Sequence, residues 1–129
     1  MPVSWRVEDD GLLVVEGSGA VTDEEYLGAH TGFIAATAGQ TGPRRALADW
    51  SAVTLMKLTA AAIGQSAGRA QQTVRTTSAP SMITHRMALV ATTPAIYGMC
   101  RMWQIQASQS GLVCQVFESR DAALAWLRS

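Results

Sequence analysis

The chain has 129 residues, of which 48% are hydrophobic and 16% are charged, and its formal net charge is zero. This length suits a single domain, predicted over residues 1–129, and this composition excludes a disordered protein. No apolar run reaches the ~18 residues of a membrane span, and the N-terminus lacks the basic start and apolar core of a signal peptide. We therefore expect a cytoplasmic protein without an integral membrane segment.

The charged residues are unevenly distributed along the chain. Residues 1–43 carry one basic residue against seven acidic ones, and residues 44–129 carry nine basic residues against three acidic ones. Such asymmetry can orient a partner or bring two copies together, and the alternative is scattered, solvated charge. The basic residues form no tract of the kind that binds nucleic acid, so no nucleic-acid partner is expected.

The N-terminal segment is predicted to form an antiparallel hairpin. Apolar residues alternate with polar ones from Val3 to Val7, and the residues Asp9–Gly11 provide a turn. The apolar run Leu12–Val15 is typical of a strand that enters the interior of a sheet. Gly17 and Gly19 are expected to end this strand.

A capping box formed by Thr22 and Glu25 predicts the start of the first helix. The apolar stripe of this helix runs from Tyr26 to Ile34 and includes His30. We interpret His30 as a partly buried, hydrogen-bonded residue. A segment with glycine and proline ends the helix and leads into the strand Ala46–Trp50.

The rest of the chain alternates helices with strands. A second helix is predicted from about Thr59 to Val74, and its many Ala and Gly residues allow close packing on a sheet or on a second copy. Arg86 to Leu127 reads as strand, helix, strand, helix. Strands that are joined by a helical crossover run parallel. The predicted fold is therefore α/β, an open mixed sheet in the order ββαβαβαβα with the hairpin at its N-terminus.

Polar residues after the strand Ala46–Trp50 form a first candidate site. Open α/β sheets place ligand-binding groups at strand carboxyl ends, and a helix start can hold an anion. The alternative is a structural turn whose polar groups satisfy backbone amides. The candidate residues are Asp49, Ser51, Thr54 and Thr59.

The third helix supplies a second candidate site. Its aromatic and sulfur-containing side chains cover more than one helical face, so some of them need not contact the sheet. Met and Trp adapt well to binding surfaces, and the alternative is a helix buried between the sheet and its neighbours. The candidate ligand or partner surface consists of Tyr97, Met99, Met102 and Trp103.

The sequence contains no complete catalytic or metal-binding pattern. Cys100 and Cys114 lack metal-ligand spacing and are expected to be buried thiols, and the two histidines are far apart in the sequence. An enzyme that uses Asp49, His85 or Cys100 is an alternative, although no nucleophile elbow is present. We expect no catalysis, no metal and no cofactor.

Four segments in order carry a family resemblance: GSGAVTDEEY, ALADWSAVT, RMALVATTPAIYGMCRMWQ and VFESRDAALAWL. With these segments the chain resembles the SpoIIAA-like small bacterial proteins of the STAS (sulfate transporter and anti-sigma factor antagonist) group, which extends to lipid-binding, SEC14-type domains. The resemblance implies an open α/β sheet built as a right-handed β/α superhelix. It implies no enzymatic activity.

Anti-sigma factor antagonists of this fold begin their second helix with a D-S-S-G-like motif, and a partner kinase phosphorylates the second serine. The corresponding residues here are Lys57, Leu58, Thr59 and Ala60, so only Thr59 keeps a hydroxyl group. Because Lys57 belongs to the segment that corresponds to this phosphorylation switch, it is included in the first candidate site. Because the neighbouring acid and serine are missing, we expect Thr59 to be a poor kinase substrate.

Two function classes follow from these features. The first is a non-catalytic binding or regulatory module that acts through protein–protein contacts, with a homodimer as the expected assembly. The second is a small protein that binds an apolar ligand or a lipid. A pocket lined by Met99, Met102 and Trp103 would favour the ligand, whereas a flat exposed apolar patch on the second helix would favour the partner.

Overall fold

A computed structural model describes residues 2–37, 45–77, 85–107 and 112–129. Within these residues, five strands and four helices follow the predicted order. The segment with glycine and proline after the first helix lies outside the described residues, and so does the side chain of Val74. The elements are β1 (Val3–Val7), β2 (Leu13–Thr22), α1 (Asp23–Thr37), β3 (Arg45–Lys57), α2 (Ala60–Thr77), β4 (Arg86–Val90), α3 (Pro94–Ala107), β5 (Val113–Phe117) and α4 (Arg120–Leu127).

The strands form one open mixed sheet in the order β1-β2-β3-β4-β5. The strand β1 pairs with β2 in antiparallel orientation, and the other neighbours are parallel. In the central register Val15 pairs with Ala48, which in turn pairs with Leu89. The predicted fold class and the N-terminal hairpin are confirmed.

The helices divide unequally between the two faces of the sheet. The helices α1, α2 and α3 pack on one face, where β3 contributes Ala48 and Trp50 to the core. The helix α4 packs on the other face, against Leu47 of the same strand. Alternate residues of a strand point to opposite faces, so β3 serves two separate cores.

Side-chain caps fix the starts of α1 and α4, and the cap of α1 is the capping box predicted from the sequence. Thr22 and Glu25 form the reciprocal capping box, in which the Thr22 backbone N–H donates to Glu25 Oε1 at 3.2 Å and the Glu25 N–H donates to Thr22 Oγ1 at 3.4 Å. Ser119 Oγ accepts the N–H of Ala122 at 3.3 Å at the start of α4.

The strands β2 and β3 are longer than the sequence pattern predicts. Gly17 and Gly19 do not end β2, because the strand passes them with two irregularities in its pairing to β3. Gly19 takes a φ of 63°, which glycine adopts without strain. A Cβ atom on Gly17 would lie 2.5 Å from the Trp50 ring, so this glycine allows the two strands to pack. The strand β3 continues past Trp50 to Lys57 because its second half pairs with Ser18–Thr22.

Candidate functional site

A cavity of about 120 Å³ lies between the sheet and the helices α1, α2 and α3. Its lining is almost entirely apolar. The sheet side includes Leu13, Val15, Ala48, Trp50 and Leu89. The helix side includes Tyr26, His30, Phe33, Ile63, Met99 and Trp103. Ligand sites are typically concave, apolar and equipped with a few placed polar groups, so this cavity is the candidate site.

A buried hydrogen-bond network around Ser66 holds the three helices above the cavity together. Ser66 Oγ accepts hydrogen bonds from Tyr26 Oη at 2.8 Å and from Trp103 Nε1 at 2.9 Å. The Ser66 hydroxyl itself donates to the Ile63 carbonyl at 3.0 Å. One hydroxyl donates one bond and accepts two, so Ser66 is saturated. Because α1, α2 and α3 each contribute, the network fixes the helix side of the cavity.

Aromatic rings extend this fixed wall along α1. The ring centroids of Tyr26 and Trp50 are 5.8 Å apart, and those of His30 and Phe33 are 4.7 Å apart in an edge-to-face arrangement. Burial raises the pKa of Tyr26 to about 12, and the hydrogen bond with Ser66 partly opposes that rise. The phenol therefore stays neutral, as an apolar wall requires.

His30 is the polar exception in this wall. The residue is only 3% exposed, and its Nδ1 atom has no hydrogen-bond partner among the described residues. Burial, together with the charge of Arg69, lowers the pKa of His30 to about 4. The imidazole is thus neutral at neutral pH. His30 is fully rather than partly buried, and its Nδ1 atom lacks the hydrogen bond that the sequence predicts, because the ring lies in the cavity lining.

The candidate residues of α3 separate in the structure. Met99 and Trp103 line the cavity. Met102 is 41% exposed on the outer side of the helix. Tyr97 is half-buried and borders a second, slightly more open pocket of about 340 Å³ beside Thr93 and Glu118. Only two of the four residues therefore belong to the cavity.

The residues of the first candidate site, at and after the end of the predicted strand Ala46–Trp50, do not form one cluster in the structure. Asp49 lies within β3, buried on the α4 side, where Oδ1 accepts the Ser51 hydroxyl at 2.6 Å and Oδ2 accepts from Arg120 Nη1 at 3.1 Å. Thr54 and Lys57 are exposed. Thr59 precedes α2, and its hydroxyl group donates a hydrogen bond to Asp23, which is not one of the candidate residues.

Cys100, Cys114 and His85, which the sequence analysis considers for catalysis or metal binding, are buried. Burial raises the pKa of both thiols, Cys100 and Cys114, to about 12. His85 is buried at the start of β4. Among the described residues there is no cluster of three or more His, Cys, Asp or Glu side chains arranged to hold a metal ion. None of the helices in the described ranges is both long and apolar enough to cross a membrane.

Sequence reasoning missed the residues that build most of the cavity. Tyr26, Trp50 and Ser66 were not candidate residues, and His30 was interpreted as structural. The spacing that places Tyr26, His30 and Phe33 on one face of α1 could have indicated that these residues line the same site. Ser66 gave none, because its partners come from α1 and α3, which are distant in the sequence.

One solved structure is similar to the chain over nearly its whole length. It is an uncharacterized protein of the DUF3478 family from Shewanella loihica PV-4, described as having a SpoIIAA-like fold. The TM-score is 0.60 and the identity 20%, and the match covers 97% of this chain and 91% of that one. The chain thus has the SpoIIAA-like fold that the resemblance predicts, and this likeness shows the fold alone. No protein-family model and no curated protein matches the sequence.

Proposed function

We propose that this protein binds a small apolar ligand in the cavity beneath α1, α2 and α3, and that it does so without catalysing a reaction. The observation that carries the proposal is the apolar cavity itself, about 120 Å³ in volume, beneath three helices joined at Ser66. An engineered apolar cavity of about 150 Å³ binds benzene, so this volume suits a molecule of about one ring.

The environment of the reactive residues supports binding rather than catalysis. A thiol acts as a nucleophile only as the thiolate, and burial raises the pKa of Cys100 to about 12. The Asp49 carboxylate accepts hydrogen bonds from Ser51 and Arg120 on the opposite face of the sheet from the cavity. The cytoplasmic location, the lack of a cofactor and the lack of a nucleic-acid partner stay predictions from the sequence.

Native mass spectrometry with a cavity-filling variant tests the proposal. Ala48→Leu adds bulk to a cavity-lining residue that is 1% exposed, and Ala52→Leu makes the same change at an exposed position of β3. We expect wild-type protein and Ala52→Leu to gain the mass of toluene at millimolar probe, and Ala48→Leu to lose this binding. Thermal unfolding of the three proteins verifies that each is folded. Equal toluene binding by Ala48→Leu and wild type would contradict the proposal.

We further propose that the protein forms a homodimer, the assembly expected for the first function class that the sequence suggests. Met102 and Ile105 stand three residues apart on α3, and they are 41% and 62% exposed. Residues at this spacing are neighbours on a helix surface, so they offer an apolar patch outside the cavity. A second copy is the commonest partner for such a patch, and contacts with another protein remain the alternative.

Light scattering with two matched variants tests self-association. Ile105→Glu places a charge in the patch, whereas Leu55→Glu makes a comparable change at a 49% exposed position of β3. We expect a mass of about twice 13.7 kDa for wild type and Leu55→Glu, and a monomer for Ile105→Glu. A wild-type mass of 13.7 kDa at micromolar concentration would exclude the dimer.

A further inference from the structure

The unpartnered nitrogen of His30 narrows the chemistry of the ligand. His30 lines the cavity, it is 3% exposed, and its Nδ1 has no hydrogen-bond partner among the described residues. A buried polar atom that lacks a partner is costly, so a native structure normally satisfies it with a protein group, an ordered water or a bound molecule. Tyr26 and Trp103 donate to Ser66, which is itself saturated, so on the helix side of the cavity His30 Nδ1 is the nitrogen that a ligand can satisfy.

The charge around the cavity limits what this group can be. The described lining includes Arg45 and Arg86 and no acidic residue, so a cationic ligand has no counter-ion there. A full negative charge deep in an apolar cavity is also costly to desolvate. A hydroxyl group carries no charge, and it can donate to or accept from a neutral imidazole in either tautomer.

Resting on the proposed function, we infer that the ligand is a neutral, largely apolar molecule of about one ring whose single hydroxyl group hydrogen-bonds to His30 Nδ1. The imidazole serves as a specificity-determining group, and the apolar walls supply most of the affinity. Neutrality of the ring follows from its burial and from Arg69, which hold the pKa of His30 at about 4.

Phenol and toluene are suitable probes because they have the same shape and differ in one hydroxyl group. The quantity to measure by NMR titration is the ratio of the dissociation constants of toluene and phenol, which removes any effect of a variant on both probes. We expect His30→Phe to lower this ratio about tenfold, since it removes one buried hydrogen bond. His30→Gln, which restores a donor and an acceptor, should recover part of the preference.

The controls separate this inference from the proposed function. Ile105→Ala changes a residue that is 62% exposed and outside the cavity, so the ratio should equal that of the wild type. If neither probe binds the wild type, the proposed function fails and the inference fails with it. If toluene binds and His30→Phe changes the ratio less than threefold, only the inference is overturned.

A measurement on the unmodified chain covers the case in which His30→Phe does not fold. The imidazole nitrogen resonances of His30 report directly on hydrogen bonding at Nδ1. We expect phenol to shift the Nδ1 resonance by several times more than toluene does at equal occupancy. Equal shifts with the two probes would overturn the inference.

Discussion

The two faces of the sheet are packed for different purposes. On the α4 face, Leu47 and Ala88 are fully buried in a small core that Leu127 closes. On the opposite face, larger side chains surround a cavity of about 120 Å³. Protein interiors are normally close-packed, so the unfilled space on this face distinguishes it from the α4 face and supports the proposed ligand site.

The polar groups on the two faces of the sheet also differ in how they are paired. On the α4 face, Arg120 Nη1 reaches both Asp49 at 3.1 Å and Glu16 at 3.4 Å, and Arg6 also pairs with Glu16. The hydrogen bond from Arg6 is the main cause that lowers the pKa of Glu16. On the cavity face, His30 keeps a nitrogen without a partner among the described residues. The charged groups on the α4 face are therefore paired with one another, whereas the cavity face contains a histidine nitrogen without such a partner.

Removing Leu47 from the α4 face should give the largest effect, and removing Leu89 from the cavity face is its matched comparison. Leu47→Ala creates a new void in a closely packed core and should cost about 4 kcal/mol of unfolding free energy. Leu89 already borders the cavity and lacks contacts on one side, so Leu89→Ala should cost about 2 kcal/mol. Urea unfolding measures both values. Equal costs, or a larger cost for Leu89→Ala, would contradict the difference between the faces.

Acid should destabilise the cavity face through His30. The unfolded chain binds a proton at this residue below its ordinary pKa of 6.5, whereas the folded chain does so only near 4. Stability is therefore fully present above pH 6.5 and falls by about 3 kcal/mol as the pH drops to 4.

Carboxylates also titrate between pH 7 and 4.5, so comparing wild type with His30→Phe isolates the contribution of His30 to the pH dependence of stability. Urea unfolding at pH 7 and at pH 4.5 should show a loss in wild type that exceeds the loss in the variant by about 2.5 kcal/mol. Equal losses in the two proteins would mean that His30 titrates normally in the folded chain.

Breaking the ion-pair network should have a moderate effect. Arg120→Ala leaves Asp49, whose side chain is 9% exposed, without its cation, and we expect a cost of about 2 kcal/mol because Arg120 itself is 36% exposed. Arg128→Ala is the control, since its 3.9 Å contact with Asp10 is exposed and should contribute less than about 0.5 kcal/mol. Chemical unfolding of the two variants should rank them in this order, and similar costs would show that Asp49 does not depend on Arg120.

Removing the Thr59 hydroxyl at the start of α2 should have a smaller effect than removing Arg120. Its hydroxyl donates to Asp23 Oδ2 at 2.7 Å and accepts the Ala62 N–H at 3.2 Å. Thr59→Ala should cost about 1 kcal/mol, and Thr59→Ser, which keeps the hydroxyl, should cost little. Phosphorylation would place a dianion beside Asp23, so stoichiometric phosphothreonine in protein from the native host would contradict this role.

The sequence predicted the architecture better than the site. Alternating strand and helix patterns identified all nine elements of the described residues, because each pattern depends on local spacing. The continuation of β3 past Trp50 was missed because it depends on pairing with β2. Met99 and Trp103 were candidate residues, but most of the cavity was missed for the same reason, since Tyr26, Ser66 and Trp103 meet only in the folded chain.

The methionine methyl groups allow the most direct test of the central claim that the cavity binds a small apolar ligand. Met56, Met87 and Met99 line the cavity, whereas Met102 is 41% exposed and does not. In a titration of ¹³C-methyl-methionine protein with toluene, we predict saturable shifts of the three lining methyl signals and a constant Met102 signal. Unchanged lining signals, or a Met102 shift as large as theirs, would contradict the account.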